Sequence, residues 1–359
     1  LEQTITIKLK LQPNRFQKKL LEKMSKTYIC VINDLVSEMV EYKQPTKKTT
    51  KNVVAPLPSA VKNQAIKDAK SVFTKSKKTG YAMIPILKKP VCIWNNQNYS
   101  VSEREISVPL FVDGRSKRIP IRVQWNEKNN RFQELMKGKR GTLRITQKSH
   151  KWIAQISVTI PTKPINGHQL MGVDLGLKVP AVAVTEGGQT KFFGNGRMNK
   201  FKKRYFRKKR KSLGKAKKIK AIRTIHDKEQ RWMKNQDHQI SRAIVDFAIK
   251  NDVSVIRLEK LKNIRQTART SRKNNQNLHS WSFYRLANFI EYKANLIGIA
   301  VEYVDPAYTS QKCPSCSERN KAADRQYHCK NCGFSTHRDR VGAMNIIHAP
   351  LMHGKSASA

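Results

Sequence analysis

Residues 329–346 run CKNCGFSTHRDRVGAMNI. The first four close a C-x-x-C pair, Cys329 and Cys332, and shortly after it Asp339 opens a segment, RVGAMNII, with the look of a helix start. A carboxylate directly behind a thiol pair is unexpected in a 359-residue chain with 72 Lys and Arg but only 25 Asp and Glu. Working outward, a matching pair stands upstream at Cys313-Pro-Ser-Cys316, with twelve residues between the two. Each pair can place two thiolates on one ion, and four sulfurs together complete a tetrahedral zinc site. A closed four-thiolate set has no open position for a substrate, so one structural Zn²⁺ is expected. In so small a lobe it would supply most of the folding free energy. Disulfides or chance pairing are the alternatives. His328 and His337 flank the cluster and are expected to be ordinary surface histidines.

The net charge of +47 destabilises a compact chain by self-repulsion unless a polyanion neutralises it. Nucleic acid is the polyanion that fits. A membrane surface fits less well, because the sequence has no basic amphipathic anchor or lipidation motif. A merely soluble basic surface would mix both signs, yet no acid occurs between Glu186 and Asp227 or between Glu259 and Glu291. Apolar residues make up 38%, enough for a folded protein with a large polar surface. The length allows two or three domains. No apolar run approaches the ~18–20 residues of a membrane span, and no signal peptide is expected. Six cysteines, four of them clustered, do not make a secreted disulfide framework. An intracellular protein is expected, with Cys30 and Cys92 as buried small hydrophobes.

Along the chain, residues 1–12 alternate, with Ile5, Ile7, Leu9 and Leu11 on one face of a strand. Leu20, Met24, Val31, Leu35 and Met39 predict a helix from Phe16 to about Tyr42, and residues 43–52 a loop. A second helix is predicted from Ser59 as N-cap, carrying Val61, Ala65, Ala69, Val72 and Phe73. Short alternating strands then follow from residue 81 to Pro161, which suggests a barrel-like β module with the two helices inserted after its first strand. The stretch PTKPINGHQ (161–169) marks a boundary, beyond which the pattern is α/β. Strands are predicted at LMGVDLG, VPAVAVT, TKFFGN, VSVIRLE and IAVEYVDP, with helices at DHQISRAIVDFAIKN and WSFYRLANFIEYKANLIG.

Two of these strands end in an acid, Asp174 and Glu259, and Asp339 lies in the first turn of a helix. Singly, each has an ordinary explanation: a turn before Gly176, a surface ion pair with Lys260, and a favourable helix dipole. As an ordered set they follow the arrangement of an RNase H-like sheet, whose carboxylates converge. Convergent carboxylates in a basic protein call for cations, and two Mg²⁺ ions roughly 4 Å apart would activate water and stabilise the leaving oxygen of a phosphodiester. Mn²⁺ can stand in for Mg²⁺. On this view the zinc lobe sits just before the last helix to present nucleic acid to Asp339.

The stretches GVDLGLK (172–178), IRLEKLKN (256–263), 281–316 and YHCKNCGFSTHRDRVGAMNI (327–346) resemble the transposon-encoded TnpB family, whose relatives include the compact type V CRISPR effectors. The resemblance implies a RuvC (RNase H-like) nuclease with an inserted zinc ribbon, preceded by a β-barrel-like wedge module with a helical recognition insertion. It implies modules at 1–12 (first wedge strand), 13–80 (recognition), 81–165 (wedge), 166–304 (RuvC), 305–336 (zinc ribbon) and 337–359 (final RuvC helix and tail). It further implies a Mg-dependent endodeoxyribonuclease that uses a guide RNA (ωRNA) to find double-stranded DNA beside a short flanking motif, and cuts both strands at one site. Carried over by motif, Asp174, Glu259 and Asp339 are the catalytic acids, and Cys313, Cys316, Cys329 and Cys332 the zinc ligands. A prokaryotic cytoplasm, association with the nucleoid when DNA is bound, a monomer and no membrane partner complete the expectation. Where the family commonly has Asn-Ala-Ala, this chain has Val341-Gly342-Ala343. The alternatives are a non-cutting RNA-guided repressor, a CRISPR rather than a transposon effector, and a basic zinc-ribbon protein with coincidental acids.

Residues 201–220, FKKRYFRKKRKSLGKAKKIK, supply the expected nucleic-acid contacts: Lys202, Lys203, Arg204, Arg207, Lys208, Lys209, Arg210 and Lys211. Phe201, Tyr205 and Phe206 are expected to dock against the protein while the cations meet phosphate. A solvated basic helix without ligand is the plain alternative. The acid-free stretch 265–277 is read as a mobile lid or an inert loop.

Overall fold

In the computed structural model, the described residues are 2–78, 80, 85–124, 135–148, 151–261, 271–322 and 324–352. The chain divides into two compact units at Pro161/Thr162.

In the first unit the alternating strand β1 (Glu2–Leu11) pairs antiparallel with β7 (Lys151–Pro161) along its whole length, Glu2 opposite Pro161 and Leu11 opposite Trp152. With β2 (Val91–Trp94), β3 (Ser100–Val101), β4 (Glu105–Val112), β5 (Arg115–Gln124) and β6 (Lys139–Lys148) they form a sheet ordered β2-β6-β7-β1-β5-β4-β3. The part of the predicted strand at 81–84 lies outside the described residues. Two helices separate β1 from β2. Helix α1 (Arg15–Glu41) starts at a capping box, in which Asn14 accepts from the Gln17 amide and donates its own amide to the Gln17 side chain. Its buried stripe runs Leu21, Met24, Tyr28, Ile32, Leu35 and Met39 and meets Ile7, Leu9 and Leu11 of β1 in one core. Helix α2 (Ser59–Lys78) takes its first hydrogen bonds on the Pro58 carbonyl, so Ser59 lies inside the first turn rather than at the cap. Cys92 is buried as expected, whereas Cys30, on the outer face of α1, is exposed.

The second unit is built on a five-stranded sheet ordered β10-β9-β8-β11-β12. β8 (Gln169–Asp174), β9 (Ala181–Thr185) and β10 (Thr190–Phe193) form an antiparallel meander. β11 (Val253–Glu259) runs parallel to β8, and β12 (Ala300–Val304) parallel to β11. Between β10 and β11 come α3 (Gly196–Lys215) and α4 (Ile219–Lys250). The helix predicted from Asp237 is thus only the second half of α4. Its first half has few apolar residues, but is rich in good helix formers and is anchored by buried Ile225 and Met233. α5 (Arg272–His279) and α6 (Phe283–Asn295) precede β12, and α7 (Arg338–His348) closes the unit.

Strand periodicity sorts the faces. Met171, Val173, Ile256 and Leu258 pack with Ile240, Ile244, Leu286 and Ile290 of α4 and α6. The intervening residues Gly172, Asp174, Arg257 and Glu259 therefore point to the other face. There α7 lies across β8 and β9, its Ala343 and Ile347 packed on Val182 and Val184. Its approach is so close that a Cβ on Gly172 would stand 2.0 Å from the Ala343 carbonyl oxygen. No described helix is long and apolar enough to cross a membrane.

Candidate active site and four-cysteine lobe

Because Val173 pairs with Leu258, Asp174 and Glu259 occupy the ends of adjacent parallel strands on the same face. The third acid arrives with α7 on that face. Its first turn is capped by His337, whose Nδ1 accepts from the Asp339 amide at 3.2 Å, so this histidine is a helix cap and not a bystander. Burial raises the Asp174 carboxyl well above the usual range; the neighbouring Glu259 and Asp339 raise it further, while Arg338 and Arg325 oppose. Burial also raises Glu259, against a hydrogen bond from Thr309. The structure thus brings the three sequence-predicted acids into one electrostatic cluster.

Four further residues complete the cluster, none of them singled out by the sequence. Arg325 places Nη1 at 2.5 and 2.6 Å from the two Asp339 oxygens. The Thr309 hydroxyl donates to Glu259 Oε1. Asn345, one turn beyond the acid-bearing part of α7, donates to the Thr309 and Lys312 carbonyls, both at 2.7 Å. The helix that carries the third acid therefore also fixes the segment that orients the second. Arg257 links Glu302 of β12 at 2.9 Å to the Ile347 carbonyl at the far end of α7. The departure at 341–342 is resolved by packing. Val341 is fully buried with Cys313, Tyr327 and Cys329, beneath the cysteine lobe. Gly342 is the residue that meets the acids: a Cβ there would stand 3.1 Å from Asp174 Oδ2.

Between β12 and α7 the chain forms a small lobe around a two-stranded ribbon, β13 (Gln326–His328) and β14 (Ser335–His337). Cys313, Cys316, Cys329 and Cys332 bring their sulfurs within 4.8 Å of one another. Backbone bonds from Cys313 to Glu318 and from Cys329 to Phe334, both 2.8 Å, shape the two knuckles. Asn320 donates to the Cys329 sulfur at 3.2 Å. A backbone hydrogen bond at Glu318, with a side-chain one from Asn331, pulls the Cys316 thiol down to about 6. The donor set and its closeness fit a single structural zinc ion.

The basic helix α3 departs from expectation. Lys203 donates to the Ser280 carbonyl, Arg207 to Gln276 and Arg210 to Glu229, so these cations face α4 and α5. With Lys200 and Arg204 they line a cavity of about 420 Å³ that reaches Gly176 and Leu177, next to Asp174. Burial, and then the neighbouring cations Lys178, Arg325 and Arg204, lower the pKa of the Lys200 ammonium. Lys202 lies over the Trp232 ring. Lys208, Lys209 and Lys211 are exposed. Two of the three rings do not dock, Phe201 at 53% and Tyr205 at 45% exposed, while Phe206 is half-buried. The inward side is taken by cations because Glu229, Gln276 and Ser280 supply acceptors there. Of the predicted lid, residues 265–270 lie outside the described residues, and 272–277 belong to helix α5, pinned to α3 through Gln276.

A model of the Cas12f1-like TNB domain matches residues 283–346, from α6 through the cysteine lobe into α7. The CRISPR-associated endodeoxyribonuclease Cas12f1 of Sulfoacidibacillus thermotolerans is 30% identical over 263 residues, covering 68% of this chain and 59% of that protein. The TnpB-like protein MJ0751 of Methanocaldococcus jannaschii is 35% identical over 150 residues, 40% of this chain and 54% of that protein. This chain thus spans somewhat more than half the length of both. Among solved structures, the Cas12f1–sgRNA–target DNA complex superposes with a TM-score of 0.71 at 18% identity, covering 94% of this chain and 84% of that one. At that identity the likeness is one of fold.

Proposed function

Because the chain belongs to the family that joins TnpB-like proteins with the compact type V effectors of the Cas12f1 kind, we propose that it is an RNA-guided DNA endonuclease. A guide RNA of the ωRNA type directs it to double-stranded DNA beside a short flanking motif, and one RuvC-type site cuts both strands. The first unit, Glu2–Pro161, acts as the wedge and recognition modules. The observation that carries this reading is the meeting of Asp174, Glu259 and Asp339 on one face of the second sheet, in a chain of net charge +47.

The three carboxylates offer divalent cations a shared set of oxygens: Glu259 and Asp339 both raise the proton affinity of buried Asp174, and Arg338 and Arg325 offset that repulsion only in part. An all-oxygen donor set suits Mg²⁺, with Mn²⁺ able to replace it. Two such ions, when bound, supply an activated water and a stabilised leaving oxygen. The protein's own part is positioning. Thr309 fixes the Glu259 rotamer, His337 holds the first turn that carries Asp339, and Arg325 brings a guanidinium from the cysteine lobe to the edge of the cluster. Lys200, Arg204 and the cavity cations draw the phosphodiester backbone toward the acids through contacts that position without reading sequence. Arg325 lies between Cys316 and Cys329, so the four cysteines that would hold a zinc ion also frame the segment that carries it.

The test begins with the RNA that copurifies. One dominant structured RNA is expected, and its sequence supplies the guide for programming cleavage of a matching duplex in Mg²⁺. Asp174→Ala should lower cutting by more than about a thousandfold and leave RNA binding intact. A spread of unrelated RNA fragments, or undiminished cutting by the variant, overturns the proposal.

A further inference from the structure

Helix α3 has two chemically distinct faces. It carries eleven Lys and Arg and no acid in twenty residues. At 3.6 residues per turn, Lys203, Arg207 and Arg210 fall within about 60° of arc, and Met198, Phe201 and Tyr205 within about 60° on the opposite side. The first set is engaged with α4, α5 and Ser280. The second faces outward, with Met198 45%, Phe201 53% and Tyr205 45% exposed. Exposed cations border it: Arg197, Lys208 and Lys209, the last with its ammonium 5.6 Å from the Tyr205 ring centre. The Phe206 ring meets the Tyr205 ring edge to face, which limits how Tyr205 can turn.

We propose that this outer face is a stacking platform for an unpaired stretch of RNA, with bases on Phe201 and Tyr205 and phosphates on Arg197, Lys208 and Lys209. Flat rings interleaved with cations are what a single strand needs: every base has a face to stack and every linkage a charge to neutralise. A duplex keeps its bases inside and leaves the rings without partners. A second copy of the chain, also at +47, would have to press one acid-free helix against another strongly basic surface. The choice of RNA rests on the guide-RNA reading above. The opposite face of the same helix lines the cavity that reaches Gly176 and Leu177, in the turn that follows Asp174, so the outer face looks away from where a DNA strand would be cut.

The platform is tested in the Asp174→Ala background without divalent ions, so that the outcome is independent of whether the chain cuts. A 4-thiouridine-labelled copurified RNA is crosslinked to the protein, and the modified peptides are identified by mass spectrometry. Crosslinks at Phe201 or Tyr205 are expected. Binding of a labelled oligouridine of about a dozen nucleotides should weaken by roughly tenfold per ring removed in Phe201→Ala and Tyr205→Ala, with the salt dependence unchanged. Lys208→Gln with Lys209→Gln should instead flatten the salt dependence. All four side chains are exposed, and an unchanged melting temperature confirms folding. Equal binding by the ring variants overturns the platform, as does loss confined to a deoxyoligonucleotide. A change of particle mass with RNA binding intact also overturns it, and assigns the face to a second copy.

Discussion

In the cysteine lobe all four donors come from twenty consecutive residues, Cys313 to Cys332, and local turns alone bring them within 4.8 Å. The three acids are separated by 85 and 80 residues, and their meeting depends on a parallel strand register and a helix laid across it. The two sites therefore differ in what holds them. Four close thiols are a donor set that suits one zinc ion, and on the proposed reading binding and folding of the lobe are one event. The carboxylates rest on a sheet and helix with apolar cores of their own, so there the fold precedes the ion and stands without it.

The largest expected effect separates the sites on this basis. Removing zinc with a strong chelator, or Cys329→Ser, should forfeit on the order of 10 kcal/mol of binding-linked folding free energy. The lobe should open, with new proteolytic cleavage between Cys313 and Cys332 and loss of one zinc per chain by elemental analysis. Cutting should fail with it, because Arg325 leaves Asp339. Withdrawing only Mg²⁺ should stop cutting reversibly and leave the proteolytic pattern unchanged. If both treatments gave one pattern, the contrast between a folded-by-ion and a preformed site would be gone.

The same contrast explains what could be read from the sequence. The cysteine lobe was legible because its signal is local. The acids were legible as an order of strand ends and a helix start. Their support was not: Arg325, Thr309 and Asn345 act across separations of 14, 50 and 36 residues. An arginine among 72 cations carries no mark of the one carboxylate it meets. His337 looked incidental because a cap is defined by backbone geometry. Periodicity in α3 separated rings from cations, yet the side that turns inward was decided by acceptors on α4 and α5, and the sequence pointed to the wrong one. Val341 appeared to be a missing asparagine near the acids, whereas in three dimensions it is apolar filling beneath the cysteines.

A middle-sized effect tests whether the acid site depends on its helix docking. Gly172→Ala would place a methyl 2.0 Å from the Ala343 carbonyl, where backbone has to move. Forced overpacking of this kind costs about 1–3 kcal/mol, read as a lower melting temperature, and the shift of α7 should carry Asp339 away and depress cutting. Gly342→Ala is the matched comparison. Its methyl would meet the Asp174 side chain, with Oδ2 at 3.1 Å, Cγ at 3.3 Å and Cβ at 3.6 Å, so a side chain has to give by a few tenths of an ångström while the backbone stays, and the loss of stability should be smaller than for Gly172→Ala. Equal melting of the two variants would mean that α7 is not seated on β8 as described.

The smallest effect concerns a single hydroxyl. Thr309 is 6% exposed and donates to Glu259, while its own carbonyl is held by Asn345. Thr309→Val keeps the shape and removes the donor, leaving a buried carboxylate with one fewer hydrogen bond. Partners of metal-binding carboxylates are worth about 10- to 100-fold in affinity or activity, so the concentration of Mn²⁺ needed for half-maximal binding should rise by that order. Thr309→Ser restores the hydroxyl and should recover most of the affinity. If Ser and Val behaved alike, the residue would matter for packing only, and Glu259 would owe its orientation to the strand end alone. A graded response, with Ser near the parent and Val well below it, would show that the carboxylate site is tuned from the segment leading into the cysteine lobe, which makes the two sites mechanically one.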